Sequence, residues 1–135
     1  MTLRNESSLL YKLKLVSQEL TNNFEKSTNF SLTRFEMMHV LHEHNTCSQT
    51  FLQSCLKIDS AAITRHLKIL EDNDYVTRER NKENNREVLI TITEKAKHEL
   101  EDCNKKHQHS LKSLIGELSD SEQIELLQLL NKITK

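Results

Sequence analysis

The 135 residues include no proline, no tryptophan and only one glycine, Gly116. Enzymes that cradle phosphates need flexible Gly-rich loops, and none can be built from this composition. The shortage of both helix breakers instead favours a mostly helical chain. Cysteines are sparse and odd in number (Cys47, Cys55 and Cys103), which argues against a disulfide framework and for a reducing compartment. No apolar run approaches the ~18 residues of a membrane span. The start, Met1-Thr2-Leu3-Arg4-Asn5-Glu6, lacks the apolar segment of a signal peptide, so a cytoplasmic location is expected. With 36% apolar and 29% charged residues the chain reads as soluble and folded. A net charge of −1 excludes a polycation, so any field that attracts nucleic acid must be local. Nothing calls for a cofactor.

Apolar spacing places the elements. Leu9, Leu13, Val16, Leu20 and Phe24, with Leu10 alongside, predict a helix over 5–25. A second helix is expected from near Thr33, with Thr33 and Glu36 as a capping box, through Phe35, Met38 and Leu41. A short third helix covers about 48–56, capped by Thr46 or Ser48. The break Lys57-Ile58-Asp59-Ser60 precedes a fourth, from about Ser60 to Asn73, with Ile63, Leu67 and Leu70 as its buried stripe. The period then changes to alternation. Residues 76–80 and 88–93 read as a β-hairpin around the polar turn 81–87, where Asn81, Asn84 and Asn85 are expected to supply positive φ in place of glycine. A long helix follows from Glu94 to about Ile115, capped by Thr93, with Ala96, Leu100, Cys103, His107, Leu111 and Leu114 along one side. The capping box Ser119–Glu122 opens a last helix carrying Ile124, Leu127, Leu130 and Ile133.

A short helix, a break, a second helix and a hairpin in that order describe a winged helix-turn-helix. A helix fits the major groove and offers base edges its exposed N-terminal side chains. Here those are Ser60, Ala61, Ala62, Thr64, Arg65, His66 and Lys68. The small residues let the backbone approach a duplex, and Arg65 can donate two bonds to a guanine. The hairpin adds Arg80, Lys82, Asn84, Asn85 and Arg86, suited to a phosphate backbone or a minor groove. A charged helix face alone is usually only solvated. The ordered combination is what points to double-stranded DNA.

The same stretch resembles the MarR family of bacterial regulators. Leu56-Lys57-Ile58-Asp59-Ser60-Ala61-Ala62-Ile63-Thr64-Arg65 is similar to that family's "L-x-V-D-x-S-x-V-T-R", and Leu67 through Leu70-Glu71 to the "L-x-x-L-E" that follows. Tyr75-Val76-Thr77-Arg78-Glu79-Arg80 resembles its "L-V-x-R-x-R" strand, and Ile90-Thr91-Ile92-Thr93-Glu94-Lys95 its "V-x-L-T-x-K" return. The resemblance implies a mainly α fold with a small β-hairpin wing. Residues 1–30 and 94–135 would form the helical dimerisation region, and 31–93 the DNA-binding region of one intertwined domain. It also implies a triangular homodimer on a pseudo-palindromic operator and, by family habit, a repressor released by a small-molecule effector. The sequence departs from the pattern where Asp74 replaces a glycine and where Asn84-Asn85-Arg86 replaces "D-x-R" in the wing.

Redox sensing is a second expectation to weigh, with Cys47, beside Thr46 and Ser48, as the exposed thiol and with Cys55 and Cys103 as buried fillers. Metal sensing through His39 and His42, or Cys103, His107 and His109, has chelating spacing, but no metal site is assigned. Of other classes, an enzyme lacks a paired acid–base setting. A helical protein-interaction module leaves the basic hairpin without a purpose.

Overall fold

A computed structural model describes residues 2–134, with their side chains except those of 107–114. Helices α1 (Leu3–Thr28), α2 (Leu32–His44), α3 (Gln49–Leu56) and α4 (Ser60–Asp72) precede a hairpin of β2 (Val76–Arg80) and β3 (Val88–Ile92). Helices α5 (Glu94–Leu114) and α6 (Asp120–Ile133) complete the chain. A three-residue strand β1 (Thr46–Ser48), which apolar spacing does not signal, pairs antiparallel with β3 and makes the sheet order β1-β3-β2. The expected class, mainly helical with a small β wing, is the observed one.

The core lies where α2, α3, α4 and the sheet meet. Met37, Met38 and Leu41 from α2 join Leu52, Ile63, Leu67, Leu70, Val76 and Ile90, all nearly fully buried. Ala96 and Leu100 bring the start of α5 onto this cluster. Phe24 of α1 meets Phe35 edge-on at 5.2 Å between ring centroids, a favoured aromatic geometry that ties the first helix to the second.

Local chemistry sets the helix ends. Ser48, Asp59, Thr93 and Ser119 each accept a first-turn backbone N–H, and the Ser119–Glu122 capping box is formed. The expected Thr33–Glu36 box is not. Helix α2 starts earlier, capped by Ser31, whose hydroxyl accepts from the Arg34 N–H at 3.3 Å. The carboxylate of Glu25, on α1, takes the N–H of Leu32 at 3.0 Å and satisfies a donor that the Thr33 start would have left in a loop.

The wing turn also departs from expectation. None of Asn81, Asn84 and Asn85 adopts positive φ. Asn81 and Asn84 act through their side chains, accepting from the N–H of Glu83 at 3.0 Å and of Arg86 at 3.2 Å. These are Asx turns, which bend the chain without left-handed backbone. The left-handed position falls instead on Asp74, φ 62°, where the family pattern has glycine. There the Tyr75 N–H reaches the Leu70 carbonyl and the Asp74 N–H that of Glu71, so α4 ends in a Schellman motif. A side chain at that φ is strained, and Asp74→Gly should raise stability by roughly 0.5–1 kcal/mol. Thermal unfolding at fixed protein concentration would read this as a rise of a few degrees; an unchanged or lower midpoint would refute it.

Candidate nucleic-acid interface

Helix α4 has one buried stripe, Ile63, Leu67 and Leu70, and this fixes what the other faces present. Ser60, Ala61, Thr64, Arg65 and Lys68 are exposed, whereas Ala62 and His66 are half-buried. Asp59 holds the first turn with a 2.7 Å bond to the Ala62 N–H. The turn from α3 into α4 passes through Lys57, exposed and left-handed at φ 54°.

The exposed hydroxyls of α4 are held from α3. Gln53 Nε2 donates to Ser60 Oγ at 3.4 Å, and Gln49 Nε2 to Thr64 Oγ1 at 3.5 Å. Thr64 donates its own proton to the Ser60 carbonyl at 2.8 Å, so this hydroxyl faces outward as an acceptor. On the opposite flank His66 meets Arg34 of α2. Sequence reasoning does not single out Gln49, Gln53, Lys57 or Arg34. Only the four-residue spacing of the two glutamines on a short polar face hints at the first pair.

Not every cation near this face is free. Lys68 Nζ lies 3.1 Å from the Asp72 carboxylate one turn on. Arg78, at the base of the wing, donates from Nε and Nη2 to both oxygens of Glu71 at 3.2 and 2.9 Å. That two-pronged bond fastens the wing to the end of α4. Arg80 closes the turn by donating to the Asn85 carbonyl at 2.8 Å. Among the described residues, Arg65, Lys82 and Arg86 are exposed and make no ion pair. Asn84 and Asn85 sit exposed at the tip between them.

The cysteines reverse their expected exposure. Cys55 is exposed, while Cys47 is half-buried in β1 opposite Ile90. Burial pushes the Cys47 thiol above its usual range, and the neighbouring Cys55 adds to this. A reactive thiol needs the opposite setting. Cys103 is half-buried, and burial raises its pKa too, partly offset by Lys106. His39 packs edge-on to Phe35, and His42 lies 3.9 Å from Glu101. No three metal-ligating side chains converge among the described residues, and His107 and His109 lie outside the described side chains.

A profile of the MarR family matches residues 30–88, which span this whole arrangement. The uncharacterized HTH-type transcriptional regulator YdgJ of Bacillus subtilis is 34% identical over 128 residues, covering 95% of this chain and 78% of that one. The chain belongs to the MarR family. The organic hydroperoxide resistance transcriptional regulator of B. subtilis is 30% identical over 92 residues, 66% of this chain and 63% of the relative. In fold, this MarR-family chain superposes on a point mutant of MarR from E. coli complexed with operator DNA, with a TM-score of 0.86 and 24% identity over the full length of both.

The Glu71–Arg78 bond has a signed pH consequence. Arg78 holds the Glu71 carboxyl below its ordinary 4.5, mainly through the hydrogen bonds. The stabilisation is therefore present above about pH 4.5 and is lost as pH falls through the lower folded value. Urea unfolding of wild type and Arg78→Met should show a stability gap at neutral pH that closes in acid. A gap independent of pH would contradict the assignment.

Proposed function

We propose that this MarR-family transcriptional regulator grips a pseudo-palindromic double-stranded operator as a homodimer, with α4 in the major groove and the β2–β3 wing on the flanking backbone. The observation that carries the reading is the outward half of α4. Its small residues Ser60 and Ala61 and its unpaired Arg65 sit at the N-terminal end of a helix whose other face is buried. A guanine edge suits Arg65, the Thr64 hydroxyl suits a base donor, and Lys82 and Arg86 suit phosphates. Lys57 joins the phosphate-facing set. His66, Lys68, Arg80, Asn84 and Asn85 shape the surface more than they supply free charge. Ala62 completes the close-approach segment.

The dimer reading rests on the terminal helices. Leu9 and Leu10 of α1 are exposed, and Ile124, Leu127 and Ile133 of α6 are each 60% exposed. An apolar cleft of about 630 Å³, lined by Leu20, Ile115, Ile124, Leu126, Leu127 and Leu130, continues that surface. Contiguous apolar surface of this kind marks an interface. A second copy covers it under this reading, and residues 1–30 and 94–135 are the dimerisation region. Repression relieved by a small ligand is the finer part of the proposal. It is supported by a cleft of about 290 Å³ where Phe30 and Phe35 face Glu99, Asp102, Cys103 and Lys106 of α5. Among the described residues, no helix is long and apolar enough to cross a membrane. A cytoplasmic, non-catalytic role fits the family.

Selection of bound sequences from random duplexes should return a two-fold-related site. On that site Arg65→Ala should cost about 1–3 kcal/mol per half-site and relax the preference at one position in each half. Arg86→Ala should weaken binding to all duplexes and lower the slope of log affinity against log salt by about one for each wing, hence about two for the dimer. If both variants bind as wild type does, the reading surface is misassigned. Leu127→Asp should shift sedimentation from dimer to monomer and weaken operator binding with it; a wild type that sediments as a monomer would refute the dimer.

A further inference from the structure

Arg34 lies outside the helix-turn-helix segment, yet its guanidinium reaches the reading helix. Arg34 Nη1 and His66 Nδ1 are 3.2 Å apart, and both residues are half-buried. Arginine carries only donors, so Nδ1 must supply the lone pair. A neutral ring with Nδ1 accepting keeps its proton on Nε2. The contact cannot survive protonation, because both ring nitrogens would then be donors and two cations would face each other.

The surroundings point the same way. Burial lowers the pKa of His66 from its ordinary 6.5, and the positive charges of Arg34 on α2 and Arg65 on its own helix lower it further. A polyanion bound to α4 pulls in the opposite direction, since phosphates favour a protonated imidazole. Arg34 therefore stands between the duplex and a charge change on the helix that reads it.

We propose that Arg34 is a positioning residue for the reading helix: it fixes His66 in the neutral Nε2–H form and thereby keeps operator affinity independent of this histidine's protonation. The proposal rests on α4 being the DNA-reading element. It makes Arg34 a member of the recognition apparatus although it sits 32 residues away from His66 in the chain.

The test uses the full chain as wild type, Arg34→Met, His66→Gln and the double variant. Histidine ¹⁵N NMR of the free proteins reads the tautomer. Affinity for the duplex selected by wild type is followed between about pH 5 and 8, the range over which histidine titrates. Wild type should show the Nε2–H pattern and the same affinity profile as His66→Gln. Arg34→Met should lose the single-tautomer signature and, in acid, gain affinity relative to the double variant with a steeper salt dependence, as added phosphate neutralisation by the two protonated imidazoles of the dimer requires. An Arg34→Met protein that keeps the Nε2–H signature, or one whose pH profile matches the double variant, overturns the proposal while leaving the DNA reading intact. Wild type that selects no duplex overturns the DNA reading and, with it, this role for Arg34.

Discussion

The burial of one stripe of α4 is the constraint on which the rest depends. Ile63, Leu67 and Leu70 have essentially no exposed surface. Each contributes on the order of 2 kcal/mol by leaving water. A rotation of the helix about its axis would bring Thr64 or Arg65 inward and lose that burial. The hydrophobic core therefore orients the polar face, and the helix needs no ligand to know which way its Arg65 points. Function here begins as a packing result.

Orientation alone would leave the helix free to slide or fray, and polar contacts at its ends and flanks prevent this. Asp59 fastens the first turn, and the left-handed Asp74 closes the last. Gln49 and Gln53 hold one flank, while Arg34 holds the other. The Arg78–Glu71 bond ties the base of the wing to the last turn of the same helix. Tyr75 completes the link, since its carbonyl accepts from the Thr93 N–H and its hydroxyl donates to Glu99 of α5. Tyr75 therefore joins the start of α5 to the point where α4 turns into the wing.

How much of this is legible in the sequence follows from the range of each interaction. The helices and the hairpin show in periodicity, and the caps at Ser48, Thr93 and Ser119 in the residue types just before each helix, because those effects act within one turn. The start of α2 is set locally by Ser31 but also from outside, since Glu25, seven residues before Leu32, supplies a hydrogen bond that no local motif displays. Strand β1 escapes because three residues are too few to show alternation, and its partner lies at positions 89–91. The wing asparagines are legible as turn formers but not by mechanism, since side-chain acceptance replaces left-handed backbone. Cys47 is less exposed than expected because that short strand half-buries it against β3, while Cys55 lies on the exposed side of α3. The exposed side chains of α4 are nameable from sequence; what touches them, Arg34 among others, depends on tertiary approach and leaves no trace there.

The charge distribution says where recognition must come from. The wing alternates Arg80, Lys82 and Arg86 with Glu79, Glu83 and Glu87, so its net field is weak. Two more cations near α4, Lys68 and Arg78, are held by Asp72 and Glu71. Attraction to DNA in general scales with the number of phosphates neutralised, and few uncommitted cations remain to neutralise them. The net charge of −1 adds no general attraction to a polyanion. At the start of α4, Arg65 stands exposed, and the hydroxyls of Ser60 and Thr64 already accept from Gln53 and Gln49. If the start of α4 reads the operator as proposed, the placement of these groups rather than a large positive surface supplies the specificity.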